Sequence, residues 1–250
     1  MAVRPVVLNA MIAWLFVVGS ALFILGSVPA YANTVGATAD GITYFIGSLF
    51  FTSASFSQLV QAQTPAMTNV DADSQRVKVP VRLRAWLPHD RNWLAAITQF
   101  PGTLYFNIST LAALIENLTV QQQDRRIWRP DFFGSTLFLI ASAFGILALG
   151  RFFSFQPRSF YWHIAWLNMI GSILFMCSAL ASYVLPTTGE FINSYVSVAG
   201  TLLGAVCFFV GAILMLPAWR HAIREMKPLQ SEDRQTQGEV NDSQTSRPHC

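Results

Sequence analysis

The stretch SFYWHIAWLNMIGSILFMCSALASYVL, residues 159–185, contains no Asp, Glu, Lys or Arg. As a helix it is long enough to cross the ~30 Å hydrocarbon core of a lipid bilayer. Gly171, Phe175 and Ser178 follow one another at offsets of zero, four and seven residues, so they share one helix face. We therefore predict a transmembrane helix whose packing face combines small residues with a phenylalanine.

Five other apolar segments repeat this pattern, at about 6–28, 41–61, 93–114, 131–150 and 192–217. Each has a glycine, then a phenylalanine four residues later, then Gly, Ala or Ser seven residues after the glycine. Apolar helices in lipid associate mainly by close packing at small residues, so we interpret the pattern as a helix-packing face; a ligand groove is the alternative. The residues of this face are Gly19, Phe23, Gly47, Phe51, Gly102, Phe106, Gly134, Phe138, Gly171, Phe175, Gly204 and Phe208.

The composition agrees with a membrane protein. Of the 250 residues, 53% are hydrophobic and only 12% are charged, whereas soluble domains have about 25% charged residues. We predict an all-α polytopic transmembrane bundle of six spans. When the spans are paired two by two along the chain, the separation between the packing-face glycines is similar in all three pairs, so we predict three helical hairpins. The regions are a first hairpin (1–61), a basic loop (62–92), a four-helix transmembrane region (93–219) whose third helix covers 160–185, and a disordered polar tail (220–250).

Two of the segments allow a second interpretation. The first is followed by Ala30, Tyr31 and Ala32, which resemble a signal-peptide cleavage site, but its apolar run is longer than that of a usual signal peptide. It also matches the 159–185 stretch at several positions, which favours an uncleaved helix. The segment at 93–114 contains polar residues and a Pro101-Gly102 pair, so a re-entrant helix is the alternative to a full span.

The distribution of basic residues predicts the orientation. With six spans, 13 of the 16 Lys and Arg residues lie on the side that holds both termini and the 62–92 loop. Because Lys and Arg are enriched on the cytoplasmic side, we predict a multi-pass protein of the cell membrane with both termini in the cytoplasm. We expect the 62–92 loop to lie on anionic lipid headgroups.

The sequence offers little catalytic chemistry. Charged residues fall at the predicted ends of the spans, and Gln99, Asn107 and Asn168 are the polar candidates within them. We interpret each as an interhelical hydrogen-bonding residue, with substrate contact in a transporter or channel as the alternative. The four His and three Cys residues lack metal-binding spacing, so we predict no metal, cofactor or catalytic site, and no basic stripe favours nucleic acid. The leading hypothesis is a non-enzymatic structural or interaction module, with a membrane protein or a second copy of the chain as its partner.

Several stretches also resemble a known family. They are TQFPGTLYFNISTLAAL, IWRPDFFGSTLFLIASAF, WLNMIGSILFMCSALASYVLP and GTLLGAVCFFVGAILMLP. The more distinctive features are the run formed by Gln99, Gly102, Thr103, Phe106 and Asn107, and the Trp-Arg-Pro-Asp sequence at 128–131. Over about 93–217 the chain resembles the YrhK-like group of bacterial integral membrane proteins. The resemblance implies a helical membrane protein and no established activity.

Overall fold

The computed structural model describes residues 2–64, 67, 77–150, 156 and 158–245, with side chains as far as residue 220. The described chain is all-helical apart from a short two-stranded antiparallel ribbon, β1 (Ala2–Val3) with β2 (Val79–Pro80). The helices are α1 (Pro5–Gly26), α2 (Pro29–Val35), α3 (Ala37–Ala62), α4 (Arg91–Ala112), α5 (Val120–Gln123), α6 (Arg129–Ala148), α7 (Phe160–Ala181) and α8 (Ser194–Thr245), with a π-helical turn at Asp124–Trp128.

Within the described residues, four helical segments are long and apolar enough to cross a membrane. They are Pro5–Gly26, Val120–Ala148, Phe160–Ala181 and Ser194–Arg220, with mean hydropathy between 1.7 and 2.3. The chain therefore has the character of a membrane protein. The helices α3 and α4 have comparable length but are less apolar, so four candidate spans are found and the predicted count of six is not supported.

The six long helices form a closed ring. Going round it, α1 packs against α3, α3 against α4, α4 against α6, α6 against α7, α7 against α8, and α8 returns to α1. Apolar residues of these helices meet inside the ring in one core that includes seven buried phenylalanines. The ring brings the first and last membrane segments, α1 and α8, together. Short connections predict contacts between consecutive helices but not this contact.

Local sequence explains where several helices begin. Asp90 caps α4 by accepting hydrogen bonds from the backbone N–H groups of Asn92 (2.8 Å) and Trp93 (3.3 Å). Ser159 caps α7 in the same way, accepting from the N–H of Trp162 at 3.4 Å. Pro101 lies inside α4 without ending it, so the Pro-Gly pair is not a break in the described helix.

Two boundaries differ from the sequence prediction. The fourth segment begins at Val120 rather than near 131, because the polar residues before Arg129 continue the helix through the π-helical turn. The last helix continues as far as Thr245, where we predicted a disordered tail. Extending an existing helix needs no new nucleus, so polar sequence can remain helical there. Residues 246–250 of that predicted tail, and 65–66 and 68–76 of the basic loop, lie outside the described residues.

Candidate functional site: the phenylalanine centre and the helix seams

The glycines of the repeated face lie where neighbouring helices pack closely. In the pair α1 and α3, a Cβ atom added to Gly19 would lie 3.1 Å from the carbonyl oxygen of Gly47 and 3.1 Å from the ring of Phe51. A Cβ atom on Gly47 would lie 2.9 Å from the ring of Phe23. Each glycine thus receives the partner helix's phenylalanine, and a larger residue would separate the two helices.

The other two pairs repeat this contact. In α4 and α6, a Cβ atom on Gly134 would lie 3.1 Å from the carbonyl oxygen of Gly102, and one on Gly102 would lie 2.9 Å from the ring of Phe138. In α7 and α8, a Cβ atom on Gly171 would lie 3.1 Å from the carbonyl oxygen of Gly204. Three pairs of helices therefore use the same residue types in the same relative positions.

Six phenylalanines, one from each long helix, meet inside the ring, and we call them the phenylalanine centre: Phe23, Phe51, Phe106, Phe138, Phe175 and Phe208. All six are buried. Within the three helix pairs their ring centroids are 5.1–5.4 Å apart, and rings from different pairs are also in contact at 5.8–6.1 Å. The space that the described residues enclose between these rings is too small for a water molecule. The middle of the bundle is therefore packed and apolar.

A hydroxyl-bearing residue follows the glycine in five of the six long helices. These residues are Ser20, Ser48, Thr103, Ser135 and Ser172, and each is at most 1% exposed. Four of them have a hydrogen bond; for example, the hydroxyl of Ser20 donates to the carbonyl of Phe16 at 2.7 Å. Buried hydroxyls that bond to backbone carbonyls are satisfied without water, so these four residues support packing and not solvent access.

The seam between α3 and α4 carries polar contacts between helices. The hydroxyl groups of Ser48 and Thr110 lie 3.1 Å apart. One turn along, the hydroxyl of Thr52 donates to the side-chain Oδ1 of Asn107, also at 3.1 Å. These polar residues face each other across the seam and contribute to the lower hydropathy of α3 and α4. Asn107 is predicted from the sequence as an interhelical hydrogen-bonding residue, whereas Ser48 and Thr52 are not. The four-residue spacing of Ser48 and Thr52 places them on one helix face and could have indicated a polar seam.

The structure does not bring the three polar candidates into one site. Asn107 lies at the α3–α4 seam, whereas Asn168 is on α7 and faces α8, where a Cβ atom on Gly211 would lie 3.4 Å from its Oδ1 atom. Gln99 lies on α4 and is half-buried. In the ring, α4 and α7 are separated by α6. A common substrate site would need these side chains to converge.

Among the described residues, no three His, Cys, Asp or Glu side chains lie close enough together to hold a metal ion. Cys177 and Cys207 are both free thiols. The salt bridge that joins Arg129 and Asp124 at 2.8 Å lies beside the π-helical turn, away from the phenylalanine centre.

Comparisons with known proteins give no match. No family model matches the chain, and no curated protein or solved structure is significantly similar to it. The resemblance to the YrhK-like group therefore stays a prediction from the sequence.

Proposed function

We propose that the chain is a non-enzymatic, six-span membrane protein that acts as a structural or interaction module, and that its spans form three hairpins. The phenylalanine centre is the observation that carries this proposal. A transporter or channel needs a hydrated or alternately accessible path between its helices. Here the middle of the ring is filled by aromatic rings, and Asn168 lies on a different helix from Gln99 and Asn107.

The inclusion of α3 and α4 among the spans rests on their place in the ring. Both are long, and each packs between its neighbours as the four more apolar helices do. Polar side chains are tolerated within a bilayer when they bond to each other across a helix interface. The bonds of Ser48 with Thr110 and of Thr52 with Asn107 meet that condition.

The proposed orientation places both termini in the cytoplasm. The pairing of Val3 with Val79 holds the N-terminus beside the loop before α4. At the start of α4, the Arg91 guanidinium donates to the backbone carbonyls of Leu147 and Gly150, so the end of α6 lies at the same end of the bundle. Basic residues concentrated there favour the cytoplasmic side.

Cysteine labelling tests the count of spans. We expect Lys78→Cys, in a variant without the native cysteines, to react with a membrane-impermeant maleimide only after the cells are permeabilised. If α3 and α4 did not span, residue 78 would lie outside the cell. Glu116→Cys is the matched control, because residue 116 is exposed and lies outside in either arrangement. Labelling of Lys78→Cys in intact cells would contradict six spans.

Permeability measurements test the proposed absence of transport. We expect proteoliposomes with the purified protein to admit small polar solutes, such as glycerol and neutral amino acids, no faster than protein-free vesicles. The reason is that the phenylalanine centre leaves no room for water. Stopped-flow light scattering gives the rates. A flux that depends on the protein and is abolished by Asn168→Leu, in a variant that retains its fold, would favour a transporter.

A further inference from the structure

The segment at 77–87 is held against one end of the bundle by its backbone and by some of its side chains. β2 pairs with β1, and the backbone N–H of Arg82 donates to the hydroxyl of Thr64 at 2.9 Å. Val79 and Val81 pack on the main core, and Leu87 packs on a smaller cluster around Trp93. The segment is therefore fixed in position, and its remaining side chains project outward.

The outward side chains are basic and apolar together. Arg82 and Arg84 are exposed, as are the two large apolar residues beside them, Leu83 (69%) and Trp86 (80%). The ring of Trp86 rests edge-on against Trp93 at 5.5 Å, which orients it while leaving most of it uncovered. Exposed Leu and Trp beside Arg are typical of segments that enter the interface of a bilayer.

Positive charge is concentrated here, and among the described residues no carboxylate forms a salt bridge with it. The ribbon pairs Ala2 with Pro80 and Val3 with Val79, so Arg4 and Lys78 are the chain neighbours of its last pair. Like charges gathered in one region repel each other. Asp90, a described acid shortly after the segment, is already engaged in capping α4. An external anion would relieve this repulsion.

From these observations we propose that Arg4, Lys78, Arg82 and Arg84 bind anionic phospholipid headgroups while Leu83 and Trp86 enter the interfacial layer of the membrane. We call these six residues the basic rim. Its place at the end of a membrane bundle favours lipid over a soluble partner. The inference rests on the proposed function in so far as the helices span a bilayer, but it does not depend on which side the rim faces.

The test measures the depth of a nitroxide label attached to Leu83→Cys in the full chain without its native cysteines. The protein is placed in nanodiscs of phosphatidylcholine with about 30% phosphatidylglycerol, or of phosphatidylcholine alone. We expect the label to collide more often with oxygen, which concentrates in the acyl layer, than with a water-soluble nickel complex. In the variant Arg82→Gln/Arg84→Gln, the label should instead collide more often with the nickel complex. The amount of phosphatidylglycerol bound to the protein should fall roughly five-fold for each arginine removed.

The matched control is Arg125→Gln/Arg126→Gln, which removes two exposed arginines from the connection between α4 and α6. We expect this variant to leave the label depth unchanged. The proposal is overturned if the label reports water in both lipid mixtures, or if the two double variants change its depth equally. Labelling of Lys78→Cys reports the side of the membrane separately, so failure of the six-span arrangement is distinguishable from failure of lipid binding.

Discussion

Replacement of Gly204 by Ala should lower the free energy of unfolding by about 1–3 kcal/mol, the usual cost of inserting a methyl group into a well-packed interior. The added Cβ atom would lie 3.0 Å from the carbonyl oxygen of Gly171 and closer still to the ring of Phe175. The carbonyl belongs to the backbone of a packed helix, so relief requires α7 and α8 to separate. Unfolding by sodium dodecyl sulfate, followed by circular dichroism in detergent micelles, measures the change.

Gly145 provides the matched control on α6, because it is a glycine of a long helix with free space around it. A Cβ atom added there would meet nothing within 4 Å, so this position has room for a methyl group. Gly145→Ala should be neutral, or should stabilise the helix by about 0.5–1 kcal/mol, because alanine is the better helix former. Equal destabilisation by the two variants would show that close approach at Gly204 is not what holds α7 and α8 together.

The positions of the packing glycines and phenylalanines could be predicted from the sequence because they depend on helix periodicity. A residue and its neighbours four and seven positions along share a face in any α-helix, and in lipid small residues permit the closest approach. Gly19 and Gly47 illustrate this, since each faces the other's helix. The close similarity of the three glycine contacts supports the proposed hairpins.

The order of helices around the ring could not be predicted in the same way. Short connections indicate which consecutive helices are neighbours, but the contact between α8 and α1 joins the two ends of the chain. That contact depends on the size and curvature of the whole ring. The partner of Asn107 was unpredictable for a similar reason, because Thr52 becomes its partner only through the relative rotation of two helices.

Hydropathy also identified some boundaries better than others. It locates α1 and α7, whose apolar runs extend over most of each helix. It placed the start of the fourth segment too late, since Asp124–Trp128 is charged and reads as a loop. Helical structure outside the hydrocarbon core requires only backbone hydrogen bonding and solvation, and those leave no apolar pattern in the sequence.

Phe138→Ala should be among the more destabilising single substitutions in the bundle, with an expected loss of about 2–3 kcal/mol. The side chain is 3% exposed, and its ring contacts Phe106 at 5.1 Å and Phe208 at 5.8 Å. In water-soluble proteins such a truncation costs about 3–5 kcal/mol, through lost transfer energy and an unfilled cavity. In a membrane the separated helices keep their side chains in lipid, so the transfer contribution is small and the cavity contribution remains.

The same helix supplies the control that separates packing from hydrophobicity. Phe133 is 50% exposed on the outer side of α6, so Phe133→Ala removes an identical group where lipid can take its place. We expect its effect to stay below about 1 kcal/mol, because no cavity forms. Comparable losses for the two variants would mean that the phenylalanine centre contributes no more than an ordinary lipid-facing ring. A large difference would assign the stability of the ring to aromatic packing at its middle, which is the property expected of a structural module and not of an open path.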